Sequence, residues 1–190
     1  MGKGRLEAFS DGVIAILITI MVLELRIPQG ANWAALAPIV PRFLMYLLSF
    51  VTVGIYWNNH HHLLHATERI NGAVLWANMH LLFWLSLVPA ITAWLGENDF
   101  AAVPTALYGV VMLGAAIAYT ILVRALLAVN GPHSRLATAL GSDLKGNLSL
   151  VCYVAAIVLA FVSRWAADAL YALVAVIWFI PDRRIEEVVK

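Results

Sequence analysis

The densest group of chemistry-bearing side chains is the stretch YWNNHHHLLH, residues 56–65. The chain holds six histidines, His60, His61, His62, His65, His80 and His133. His61 and His65 stand four apart, the spacing at which one helix presents two imidazoles to a metal ion. His80 lies inside a later apolar run, where it could face His61 or His65 and hold a haem between helices. Both sets are incomplete. Glu68 is the lone carboxylate nearby, no cysteine joins the cluster, and a haem core needs a second histidine pair at matching depth. Histidines at a helix end that reaches water need no ligand at all, and that reading outweighs a metal.

A second group sits in RLEAFSDGVIAILITIMVLEL, residues 5–25, where Arg5, Glu7, Asp11 and Glu24 interrupt a strongly apolar segment. A carboxylate within a membrane helix costs about 2.5–3.5 kcal/mol unless it meets protein or water. Asp11 must therefore have partners or lie near the aqueous boundary, and with Phe9 and Ser10 it suits a hydrogen-bonded anchor at the inner helix end. At roughly 100° per residue, Ile16, Thr19, Ile20, Leu23 and Ile27 fall in one stripe with Gly12 at its edge. Asp11, Ala15, Ile18 and Val22 occupy the opposite face. An apolar stripe with one hydroxyl is ordinarily packing surface; the charges argue that this helix is enclosed.

The elements that must position these residues follow from composition. The 190 residues are 63% hydrophobic and 12% charged with net charge +1, and the mean hydropathy is +0.86. Soluble domains are near half apolar and a quarter charged, so this is an all-α integral membrane protein with one membrane domain over residues 1–190. The near-zero charge gives no field for nucleic acid. Six segments can each span a core of ~30 Å, at about 5–27, 41–62, 71–95, 101–129, 144–162 and 166–180. Pro28 and Gly30 close the first, Pro89 kinks the third, and NGP (130–132) turns the chain after the fourth. Glu7, Asp11 and the missing cleavage motif argue against a cleaved leader. Lys and Arg in the flanks divide nine inside (Lys3, Arg5, Arg69, Arg124, Arg135, Lys145, Arg183, Arg184, Lys190) to three outside (Arg26, Arg42, Arg164), which places both termini in the cytoplasm. The tail RRIEEVVK reads as a solvated stub. Seven tryptophans gather mostly near helix ends as an interfacial belt. Asn147 and Ser149 suit interhelical hydrogen bonds, and Cys152 is a small core residue.

Arg5, Phe9, Ser10 and Asp11 together form RxxxFSD. This motif at the head of a first membrane helix resembles the lysosomal potassium channel family named transmembrane protein 175, in particular its short prokaryotic members. The likeness continues through GVIAILITIMVLEL and, more loosely, through YWNNHHHLLH and NMHLLFWLSLVPAIT. The second half is similar in helix count alone.

The resemblance implies six helices per chain, a homotetramer in the bacterial plasma membrane, and a central pore lined by the first helix that passes monovalent cations with a preference for potassium. The family constriction stands five residues after the motif aspartate, here Ile16. The hydroxyl that contributes to selectivity matches Thr19, and further aliphatic rings match Ile20 and Leu23. Polar partners of the motif come from the second and third helices, with Trp57, His61 and Asn78 as candidates. The permeant ion is potassium, with no resident cofactor or metal. The family lacks a TVGYG filter, and TVGIY (52–56) falls inside a helix rather than in a filter loop. Four helices about an axis turn one isoleucine per chain into an apolar ring that gates by dewetting, and Thr19 would offer oxygens beyond it. Glu24, about 80° from Ile16 on the wheel, would either ring the outer mouth or pair with Arg26 or Arg42. The competing classes are a haem- or metal-binding membrane oxidoreductase and a secondary transporter. The second would need an inverted repeat, and only Pro89 interrupts a span. An enzyme is the least supported class, because no nucleophile, base and orienting group converge.

Overall fold

The computed structural model describes residues 2–25, 27, 28, 30–140 and 144–179. Arg26, Ile180, Pro181 and the tail RRIEEVVK lie outside them. The described residues are helical with no strand: α1 (Lys3–Leu23), α2 (Val40–His65), α3 (Gly72–Ser86), α4 (Val88–Glu97), α5 (Ala102–Asn130), α6 (Arg135–Leu140), α7 (Leu144–Leu159) and α8 (Arg164–Phe179). A 3₁₀ helix, Trp33–Ile39, leads into α2. Four stretches are long and apolar enough to cross a membrane: α1, Trp33–His65, Gly72–Glu97 and α5. Helices α7 and α8, 16 residues each, are shorter.

Local chemistry sets the ends. Helix α1 stops at Leu23, not at the expected Ile27, because the chain tightens through a Leu25 N–H bond to the Val22 carbonyl at 3.2 Å and then meets Pro28. Ile27 is therefore outside the helix and does not extend its stripe. The third span, expected to bend at Pro89, breaks outright. Leu87 N–H reaches back to Trp84 at 3.2 Å, and Pro89 sits in the first turn of α4, where its missing N–H costs nothing. Asn71 caps α3 by accepting from Val74 N–H at 3.0 Å. Gly131, with φ of +88°, ends α5 in a backbone conformation that other residues resist.

Helix α1 lies antiparallel to α2, as Lys3–His65 and Asp11–Trp57 record, and parallel to α3, which it meets near both N-terminal ends at Ser10–Asn78. Ser49–Thr92 joins α2 to α4, and Ser149–Trp178 joins α7 to an antiparallel α8. Helix α5 is the spine, packed on α3 and α7, and α8 closes on α7. Close approach is bought with missing side chains. A Cβ on Gly114 would strike the Trp84 ring, and one on Gly109 would strike Tyr171 and Ile157. Trp84 is thus a packing residue near the end of α3, midway along the broken span Gly72–Glu97, unlike the exposed Trp33, Trp76 and Trp165. Trp178 likewise turns inward and donates to Ser149 at 2.7 Å. Asn147 is exposed, while Cys152 is buried and unpaired. At the α4–α5 turn, Asp99 and Phe100 adopt φ of +47° and +59°. Arg164 holds that turn by donating to the Asp99 carbonyl at 2.9 Å.

Candidate functional site

Helix α1 buries one stripe and exposes the other. Leu6, Ser10, Ile14, Leu17 and Met21 recur every three or four residues and are buried against α2, α3 and α4. Ile16, Thr19, Ile20 and Leu23 lie on the uncovered side, with Ile16 58% and Leu23 80% exposed in the single chain. The Thr19 hydroxyl donates to the Ile16 carbonyl at 2.8 Å. Its proton is thereby used within the helix, and its lone pairs remain free to face a cation.

The N-terminal end of α1 is pinned by three interhelical bonds. Lys3 Nζ donates to the His65 carbonyl at 3.2 Å. The Trp57 indole N–H donates to Asp11 Oδ1 at 2.9 Å. Asn78 Nδ2 donates to Ser10 Oγ at 2.9 Å, and Ser10 in turn donates to the Leu6 carbonyl at 2.8 Å. The remaining Asn78 atom, Oδ1, only accepts, so His60 must carry its proton on Nε2 to make the 2.7 Å bond between them. Ser10, His60 and Asn78 are all buried. A polar chain thus runs from α1 through α3 to α2 inside an apolar interface, with each link satisfied by the next.

Two positions, His61 and Arg5, differ from the expected arrangement. The histidine in the chain is His60, not His61, which is exposed and stacks between Trp57 and His65 at ring separations of 6.0 and 6.2 Å. The helical period explains the offset: Val53, His60 and Leu64 share the buried face of α2, and His61 sits roughly 100° further round. Arg5 is exposed and has no side-chain bond among the described residues, so Lys3, Ser10 and Asp11 hold the N-terminal end of α1 without it. Phe9 is 46% exposed. Glu24 and Arg42 line one small crevice at the C-terminal end of α1 without pairing, and Arg26 lies outside the described residues.

His80, the candidate haem ligand, is exposed, and its Nε2 accepts from the Trp84 indole at 3.0 Å. Among the described residues no group of three or more histidines, cysteines or carboxylates could hold a metal. The stretch TVGIY lies within α2. Sequence reasoning missed Lys3 and a second polar cluster, in which Ser49 meets Thr92 at 2.7 Å and donates to the Tyr108 hydroxyl at 3.3 Å.

Comparison with known proteins bears on the same residues. The family model described as "Endosomal/lysosomal potassium channel TMEM175" matches residues 5–89, from the start of the motif to Pro89. A potassium channel of Chryseobacterium sp. (strain P1-3) is 54% identical over 190 residues, covering 100% of this chain and 99% of that protein. A potassium channel of Streptomyces collinus is 34% identical over 184 residues, 91% of this chain and 89% of that one. The crystal structure of a lysosomal potassium-selective channel TMEM175 homolog from Chamaesiphon minutus superposes with a TM-score of 0.79 at 28% identity, covering 94% of this chain and 96% of that chain.

Proposed function

The chain belongs to the TMEM175 channel family, and on that premise we propose that it is a potassium-permeable channel built from four copies around an axis lined by α1. It is an integral membrane protein and not an enzyme. The reading is carried by one observation: α1 exposes Ile16, Thr19, Ile20 and Leu23 on a face that the rest of its own chain leaves uncovered. A lipid-facing helix would satisfy that exposure too. The polar chain through Ser10, Asn78 and His60 favours an axis, because it fixes the rotation of α1 about its own length.

In the assembled channel, the four Ile16 side chains form the constriction. An apolar ring supplies no oxygen to replace hydration water, so a narrow ring empties of water and closes, and a slightly wider one conducts. Thr19 lies one turn outward with its lone pairs free, and four such oxygens meet a partly dehydrated ion as it leaves the ring. Ile20 and Leu23 continue the aliphatic lining. Each chain crosses the bilayer six times, with Gly72–Glu97 counted as one broken span and α7 and α8 as the last two. Both termini lie in the cytoplasm of a bacterial plasma membrane, as the nine-to-three division of Lys and Arg supports.

The test is ion flux from liposomes holding purified protein. A potassium gradient collapses faster than an equal sodium gradient, and Ile16→Asn, which hydrates the ring, raises both rates. Equal leak in empty and loaded vesicles would overturn the channel reading, and Ile16→Asn flux identical to wild type would overturn the gate.

A further inference from the structure

Away from α1, the packing of α2, α5, α7 and α8 leaves a chamber of about 60 Å³. A water needs roughly 10–15 Å³ of such space, so this one is several waters large. Its walls are aromatic and aliphatic, and no charged side chain lines it. The polar atoms follow a pattern. Thr52 donates to the Leu48 carbonyl at 2.8 Å and Thr120 to the Ala116 carbonyl at 2.9 Å. Ser149 donates to the Lys145 carbonyl at 2.8 Å and accepts from Trp178. These hydroxyl protons are used, so the threonines offer lone pairs to the chamber. Tyr56 and Tyr153 also line it, and neither hydroxyl makes a hydrogen bond among the described residues. The chamber therefore presents both acceptors and open donors.

The chamber lies beside two further cavities on the α2–α8 side of the bundle. It shares Ile55 and Trp178 with a cavity of about 280 Å³ between α2 and α8. That cavity shares Val51 and Phe179 with a groove of about 330 Å³ walled by aliphatic side chains such as Leu44, Leu47 and Val176. A row of apolar cavities between α2 and α8 thus adjoins a small, uncharged, hydrogen-bonding pocket.

We propose that this pocket binds the hydroxyl end of an uncharged single-chain amphiphile drawn from the bilayer, with its tail lying along the α2–α8 groove. A hydroxyl both donates and accepts, matching the threonine lone pairs and the Tyr56 proton together. A carbonyl would use only the tyrosines. A carboxylate, phosphate or ammonium would enter without a counter-charge, at a desolvation cost that neutral groups do not repay. The site is separate from the α1 stripe, so it stands or falls independently of ion conduction.

The test uses the full chain in phosphatidylcholine vesicles and a long-chain alcohol carrying a diazirine near its hydroxyl. After irradiation, peptide mass spectrometry places adducts on Tyr56, Tyr119 or Tyr153. Excess unlabelled hexadecanol lowers them about tenfold, whereas hexadecyl sulfate does not. Ala116→Phe, which fills the chamber, lowers labelling to a similar degree while potassium flux persists. Adducts confined to exposed side chains of α2 and α8, the result if water or a second copy of the chain occupies the site, overturn the proposal. Equal competition by the sulfate overturns it as well. The competition arm uses wild-type protein and so does not depend on the variant folding.

Discussion

Asn78 of α3 donates its amide N–H to the Ser10 hydroxyl of α1 at 2.9 Å, and both side chains are fully buried. A buried donor that loses its partner keeps the cost of leaving water. Ser10→Ala therefore destabilises the protein by about 1–3 kcal/mol. Thermal unfolding in detergent, followed by tryptophan fluorescence, reads the shift; an unchanged midpoint would remove Ser10 from the anchor.

The histidine cluster offers an internal control. His60→Leu strands Asn78 Oδ1 in the core and costs about 1–3 kcal/mol, whereas His61→Leu on the exposed face costs no more than about 0.5 kcal/mol. The two residues are adjacent in sequence and alike in chemistry, so the comparison isolates burial. Similar losses at both positions would show that the imidazole stack, not the buried chain, holds α2.

At the proposed pore, Thr19→Val keeps the shape and deletes the oxygen. The expected result is retained flux with a reduced preference for potassium over sodium, measured by bi-ionic reversal potential. Thr19→Ser, which keeps the oxygen, stays close to wild type. Unaltered selectivity in the valine variant would take Thr19 out of the permeation path.

Gly114 and Trp84 set the spacing of α5 and α3. Gly114→Ala inserts a methyl into the indole and costs about 1–3 kcal/mol. Adding Trp84→Leu recovers part of that loss, because the smaller side chain vacates the volume. A double variant no more stable than Gly114→Ala alone would place the constraint elsewhere.

Much of this site could be read from the chain alone, for identifiable reasons. Asp11 and Ser10 are costly in an apolar helix, so they demand partners, and the family resemblance points to Trp57, His61 and Asn78 on the next two spans, of which Trp57 and Asn78 make the bonds. The choice between His60 and His61 depends on azimuth, and three consecutive histidines carry no compositional hint of it. The period of Val53, His60 and Leu64 would have decided the matter. The end of α1 was set too late because the proline three residues beyond Leu25 was taken as the stop, whereas the helix tightens before reaching it. The uncharged chamber was illegible for another reason. Its hydroxyls come from helices far apart in sequence, and each one alone looks like a residue bonded to its own backbone.

Every interhelical polar bond of α1 among the described residues, at Lys3, Ser10 and Asp11, lies in its first three turns. Beyond Asp11 no interhelical polar bond holds it among the described residues, and its buried side chains Ile14, Leu17 and Met21 are apolar. Such a rod behaves like a mast stepped in its keel: twisting the foot breaks several polar contacts at once, while leaning the top merely slides methyl groups past one another. The soft direction of this helix is therefore a tilt about its N-terminal foot.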